Sequence, residues 1–126
     1  MIIILSNNSG VPLYDQIKEQ IRAKILSGEL KEGDMLPSLR SLARDMRISV
    51  LTTTRAYNEL EQEGYIVSQQ GKGFFVMPRD SELMREQLLR DVEEALLLAI
   101  QAASRAGLTE EELLSLCKLL MEVSHA

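Results

Sequence analysis

Leu36-Pro37-Ser38-Leu39-Arg40-Ser41-Leu42-Ala43-Arg44-Asp45-Met46-Arg47-Ile48-Ser49-Val50-Leu51-Thr52-Thr53-Thr54-Arg55-Ala56-Tyr57-Asn58-Glu59-Leu60 is the stretch on which the fold turns. It holds two helix starts in close succession. Pro37 biases Leu36 away from helix. Ser38 can then cap a helix over about 38–46, with Leu39, Leu42, Ala43 and Met46 at helical spacing. Ser49 can cap a second helix that runs to about Glu63 and stops at Gly64, with Thr53, Ala56, Tyr57 and Leu60 as its inner face. So little chain separates the two helices that they must pack as a helix-turn-helix pair.

Upstream, residues 6–10 (Ser-Asn-Asn-Ser-Gly) are loop-like. Pro12 fits the first turn of a helix. Leu13, Ile17, Ile21 and Ile25 recur every four residues, so a helix over about 12–27 has one apolar face and ends at Gly28. Residues 31–37 read as a turn followed by a short extended segment. Downstream, Tyr65-Ile66-Val67 and Phe74-Phe75-Val76-Met77 are strand signals around the turn Gln69-Gln70-Gly71-Lys72-Gly73, a hairpin that Pro78 ends. From Ser81 a long apolar stripe runs through Leu88, Val92, Ala95 or Leu96, Ala99 and Ala103 to a stop at Gly107. Thr109 and Glu112 form a capping box for a last helix carrying Leu113, Leu116 or Cys117, Leu120 and Val123.

The fold class expected is α+β and mostly helical. A winged helix-turn-helix domain would occupy residues 1–78, and a two-helix dimerisation segment residues 79–126. Three helices and a hairpin can enclose one small core, and 45% hydrophobic residues can fill it without tryptophan. The lone Cys117 forbids an internal disulfide and suits a reducing compartment. The apolar run Ile2-Ile3-Ile4-Leu5 is too short for a signal-peptide core. No stretch approaches the roughly 18 apolar residues of a membrane span. A cytoplasmic protein with no membrane partner is expected.

The order helix, helix, turn, helix, hairpin implies a DNA partner. A helix fits the major groove of double-stranded DNA, where base edges are distinguishable, and a hairpin tip beside it can reach the backbone or the minor groove. The net charge of −5 does not oppose this, because of where the charge lies. Residues 1–80 carry ten Lys/Arg against ten Asp/Glu, and residues 81–126 four against nine. Within 35–58, Arg40, Arg44, Arg47 and Arg55 face Asp45 alone, a basic element that can meet phosphate.

Four segments, in order and at consistent spacing, resemble the GntR family of bacterial regulators: Pro12-Leu13-Tyr14-Asp15-Gln16-Ile17; Leu36 to Ala43; Ala56-Tyr57-Asn58-Glu59-Leu60-Glu61-Gln62-Glu63-Gly64-Tyr65; and Gly71-Lys72-Gly73-Phe74-Phe75-Val76. The resemblance spans about residues 11–77. Only 49 residues follow Met77. That is too few for the ligand-binding or aminotransferase-like domains of larger subfamilies, and two helices are similar to the YtrA subfamily. The resemblance implies a sequence-specific transcription regulator. It also implies a homodimer held by the C-terminal helices, and frequent control of transporter operons, often the regulator's own. Occupancy of a palindromic operator would make it a repressor.

The resemblance gives Arg40 a phosphate or base contact; alternatively it is exposed, or paired with Asp34 or Asp45. Arg44, one turn on, can serve the same strand. Ser38 can cap and also approach phosphate. In the segment beginning at Ser49 the chain departs from the family pattern, which often has polar readers where Val50 and Leu51 stand. These two can meet thymine methyl groups or can simply pack, leaving readout to Thr52, Thr54 and Arg55. Thr53 is expected to face the core. Arg55 can clamp phosphate or pair with Glu59. Gly71 and Lys72 form the wing tip, the lysine toward phosphate.

Cys117 is expected to pack, and His125 to be disordered. One Cys and one His make no metal site of recognised spacing, and no catalytic constellation or phosphate loop is present, so neither an enzyme nor a cofactor is expected. No effector ligand can be read from the chain. The competing function is a winged helix that recognises protein rather than DNA; Val50 and Leu51 slightly favour it, whereas Arg40, Arg44, Arg55 and Lys72 weigh against it.

Overall fold

The computed structural model describes residues 1–78 and 80–125. The elements run α1 (Leu13–Ser27), α2 (Leu39–Met46), α3 (Val50–Gln62), β1 (Ile66–Gln69), β2 (Gly73–Val76), α4 (Glu82–Arg105) and α5 (Glu110–Ser124). The class is α+β and mostly helical, with a winged helix-turn-helix at the N-terminal end. The compact units are residues 1–87 and 88–126. The expected domain boundary adjoins Arg79 which, like Ala126, lies outside the described residues.

In the first unit, α1 and α3 form the core. Ile17, Ile21 and Ile25 are buried on the inner face of α1, and Leu13 is half-buried. Ala56, Tyr57 and Leu60 of α3 are completely buried and so is Thr53, the inner face that the spacing predicts. Burying a large aliphatic side chain contributes about 1.5–3 kcal/mol, so the three isoleucines hold α1 in place. Lys18 adds a polar clasp at the edge of this packing. Its Nζ lies 3.2 Å from Glu59 Oε1 and 2.7 Å from Glu63 Oε1. Burial pulls the lysine pKa down, but the hydrogen bonds and charges of Glu63 and Glu59 outweigh it and hold it above its ordinary value.

The wing is an antiparallel pair with Ile66 opposite Val76 and Gln69 opposite Gly73. Each strand reaches one or two residues nearer the tip than the apolar run suggests, and the turn shrinks to residues 70–72. The segment before α2 closes on the other side of β2. Leu36 N–H donates to Phe74 O, Val76 N–H to Asp34 O and Gly33 N–H to Val76 O, each at 2.9 Å. The short extended segment read from the sequence is thus a third line of chain against the hairpin.

Residues 4–6 are tied to α1 by glutamine side chains standing in for a neighbouring strand. Gln20 accepts from Ile4 N–H at 2.9 Å and donates to Ile4 O at 2.6 Å. Gln16 does the same for Ser6, at 2.9 and 2.7 Å. Ile3 is thereby buried.

The start of α4 belongs to the first unit. Ser81 Oγ donates to Gly64 O at 3.3 Å and accepts from Met84 N–H at 3.2 Å, and Met84 is fully buried. Gly64 has φ +84°, and a Cβ there would stand 2.8 Å from the Met84 amide nitrogen and nearer still to Leu83. In the second unit, α5 opens with the expected capping box. Glu112 N–H donates to Thr109 Oγ1 at 3.2 Å, and Thr109 N–H to Glu112 Oε1 at 3.0 Å. These hydrogen bonds hold the Glu112 carboxyl below its usual pKa. Leu113 and Cys117 are half-buried, while Leu116, Leu120 and Val123 are exposed. His125, expected to be disordered, instead caps α5, its N–H donating to Val123 O.

Gly64→Ala separates steric from conformational cost. Gly28 has φ +87° with open space where a methyl would stand, so Gly28→Ala incurs only the left-handed penalty of about 1–2 kcal/mol. Gly64→Ala is expected to lose clearly more in urea unfolding, because Leu83 and Met84 must also move. Equal losses at the two sites would refute the close packing of α4 on Gly64.

Candidate nucleic-acid interface

The helix-turn-helix is built around hydroxyl groups. Ser38 Oγ accepts from Ser41 N–H at 3.1 Å and Ser49 Oγ from Thr52 N–H at 3.2 Å, so both expected caps form. The turn between them requires Arg47 at φ +57°, a left-handed non-glycine residue, with its N–H on Ala43 O and Arg44 O. Thr53, buried in α3, donates Oγ1 toward both Leu39 O at 3.0 Å and Val50 O at 2.9 Å. One hydroxyl therefore joins the first turn of α2 to the first turn of α3 and fixes their angle.

With the inner face buried, the opposite face of α3 projects outward. Leu51 is 81% exposed and Val50 42% exposed. Leu51 therefore does not pack within the described fold. Ser49, Arg55 and Asn58 are exposed, and Thr52 and Thr54 half-buried. On α2, Arg40 and Arg44 are exposed one turn apart. Arg44 lies 3.9 Å from Asp45, a loose pair between two solvated side chains. Arg40 makes no ion pair with Asp34 or Asp45 among the described residues.

Arg55 is engaged on two sides. Its Nε donates to Glu59 Oε2 at 3.3 Å and its Nη2 to Tyr14 OH at 3.0 Å. Its guanidinium carbon lies 3.7 Å from the centre of the Tyr14 ring. Leu13, Tyr14, Leu51, Thr52 and Arg55 line a hollow of about 380 Å³ beside the start of α3.

At the wing, Gly71 takes φ +75° and Lys72 is exposed. The wing joins α3 at its base. Glu61 Oε2 accepts from Ser68 N–H at 2.7 Å and Ser68 Oγ at 2.8 Å. Tyr57 meets Phe74 edge-on, centroids 5.0 Å apart.

The structure thus brings Ser49, Val50, Leu51, Thr52, Thr54 and Arg55 onto one helix start, with Ser38, Arg40 and Arg44 on the helix braced against it. Gly71 and Lys72 stand apart from this set, at the wing tip. Two residues join beyond those derived from sequence. Tyr14 gives no local signal, since it meets Arg55 across 41 positions. Asn58 follows Thr54 by four, the helical spacing that places it on the same side.

Such a site, with a braced projecting helix, basic flanks and a lysine-tipped wing, defines a winged helix-turn-helix DNA-binding protein. The profile of "Bacterial regulatory proteins, gntR family" matches residues 13–76. The HTH-type transcriptional repressor YtrA of Bacillus subtilis is 34% identical over 112 residues, covering 89% of this chain and 86% of that protein. Among solved structures, YtrA from Sulfolobus acidocaldarius, a GntR-family transcription factor, is 31% identical with a TM-score of 0.66, covering 98% of this chain and all of that one. The DNA-binding domain of AraR, solved in complex with operator ORX1, aligns at 26% identity and a TM-score of 0.54 over 60% of this chain and 95% of that one. The chain belongs to the GntR family and is YtrA-like along its length. It is a DNA-binding transcription regulator, and its relatives are regulators, not enzymes. A purely protein-recognising winged helix finds no support among them. No helix of the described residues is long and apolar enough to cross a membrane.

Thr53→Val keeps the volume and removes the hydroxyl that bridges α2 and α3. It is expected to cost about 1–3 kcal/mol in urea denaturation, because the Leu39 carbonyl loses a buried donor. A neutral substitution would show that the bridge does not hold the two helices.

Proposed function

We propose that this chain is a cytoplasmic, homodimeric repressor that occludes a palindromic operator. Each protomer inserts the start of α3 into a major groove. Ser49, Val50, Leu51, Thr52, Thr54 and Arg55 face the bases and adjacent phosphates. Ser38, Arg40 and Arg44 hold the backbone from α2, and Gly71 and Lys72 do so from the wing. Residues 1–78 serve as the DNA-binding part and residues 79–126 as the dimerisation part. The observation that carries the reading is the outward projection of α3, with Leu51 81% exposed on a helix whose other face is completely buried. Supporting it, the Bacillus relative is named a transcriptional repressor.

The dimer reading rests on the second unit. Leu96, Leu97, Ile100, Leu119, Leu120 and Val123 are each at least half exposed. A groove of about 340 Å³ lined by Ala99, Ala103, Leu113, Cys117 and Leu120 lies between α4 and α5. This much apolar surface marks an association site. A second copy buries it and doubles the DNA contacts about a two-fold axis.

Fluorescence anisotropy with DNA from upstream of the chain's own gene tests the first part. Binding is expected to weaken steeply between low and moderate salt, since each neutralised phosphate releases counterions. Arg40→Ala with Lys72→Ala is expected to reduce affinity at least tenfold and to flatten the salt slope. Salt-independent binding, or a double variant equal to wild type, would refute the contact assignment.

Sedimentation equilibrium tests the second part. A dimer is expected, shifting toward monomer in Leu120→Glu with the thermal transition of the first unit retained. A wild-type monomer at micromolar concentration would exclude the proposed symmetry.

A further inference from the structure

The first turns of α3 are rich in hydroxyls, yet they offer DNA few hydrogen-bond donors. Thr53 points its proton at the carbonyls of Leu39 and Val50. Thr54 Oγ1 donates to Val50 O at 2.8 Å. Ser49 Oγ and Thr52 Oγ1 share a proton at 3.0 Å, while Ser49 also accepts from the Thr52 N–H. A hydroxyl has one proton, and one already given to a carbonyl leaves only lone pairs for a base. Arg55, the nearest cation able to grip guanine, is held by Glu59 and by stacking on Tyr14.

On the first two turns the side chains presented with least internal engagement are apolar, the exposed amide of Asn58 lying a turn further on. Leu51 is the second residue of α3 and is 81% exposed, with Val50 beside it at 42%. It borders the hollow shared with Leu13 and Tyr14, yet four-fifths of its surface stays uncovered. N-terminal residues of a recognition helix meet base edges. The one apolar group on the major-groove edge of a base pair is the 5-methyl of thymine.

Resting on the reading of α3 as the groove-entering helix, we infer that Leu51 reads a thymine 5-methyl group in each half-site, so that specificity at that base is set by a methyl and not by a hydrogen bond. Because leucine has no polar atom, the site follows the methyl, whichever pyrimidine carries it. 5-Methylcytosine therefore substitutes for thymine at that position, whereas cytosine and uracil do not.

The test uses the full chain. A preferred site is first selected from random DNA. Each thymine is then replaced singly by uracil, which removes the methyl alone, and affinities are read by anisotropy. One thymine per half-site is expected at which uracil weakens binding about fourfold, the effect of leaving one methyl-sized group unburied. At that position cytosine is expected to weaken binding at least as much, and 5-methylcytosine to recover most of the loss. Leu51→Ala is expected to bind thymine and uracil probes equally, with an unchanged thermal transition, since the side chain is solvated. Uracil tolerated at every position overturns the inference. So does a Leu51→Ala protein that keeps the uracil penalty. A wild-type chain that selects no sequence overturns the α3 assignment itself, an outcome distinct from a selected site that tolerates uracil.

Discussion

Tyr57 is the point on which the N-terminal unit depends. It is wholly buried on the inner face of α3, its hydroxyl donates to Pro37 O at 2.8 Å, and its ring meets Phe74 edge-on. A single side chain thus ties α3 to the turn that launches α2 and to the second wing strand. Burial pushes the phenol pKa well up, so the proton that makes the Pro37 bond stays in place at any ordinary pH. The neighbouring Thr53 adds the α2–α3 bridge one turn earlier. Between them, two polar groups satisfied inside an apolar core orient three elements, whereas hydrophobic burial alone would leave their angles soft.

Because that anchorage lies entirely on the inner face, the outer face is free of structural duty. Arg40, Arg44, Val50, Leu51 and Lys72 are all exposed and take no part in the core. Rigid backing with an unencumbered front suits groove recognition, since little ordering is left for the moment of binding. Arg55 differs from its neighbours. Held by Tyr14 and Glu59, it presents its charge in one fixed place instead of sweeping solvent.

The regular parts of the fold are legible in the sequence for a physical reason: a helix that buries one face repeats its apolar residues at that helix's period. The isoleucines of α1, the Thr53-to-Leu60 face of α3, both serine caps and the Thr109–Glu112 box all follow from such spacing. Features that depend on distant or non-periodic contacts are not legible. Gln16 and Gln20 give no sign that they act as a substitute strand for residues 4–6. Arg47 hides a left-handed turn that a glycine would have announced. Nearness to the terminus suggests disorder at His125, yet a backbone bond to Val123 caps the helix there. At the interface, spacing exposes the roles of Ser49 and Thr53, and even the alternative partner Glu59 for Arg55. It does not reveal Tyr14, because that contact exists only once α1 has folded across α3. Whether Leu51 packs or projects is decided only by the burial of its neighbours.

The exposure of Leu51 has an evolutionary side. A side chain so largely solvated can be exchanged with little loss of stability, so under the proposed reading the address is able to drift while the scaffold itself stays under constraint. If α3 reads the groove as proposed, duplicated copies of such a gene could acquire new target sites through one or two substitutions at residues 50 and 51, without first passing through an unstable intermediate.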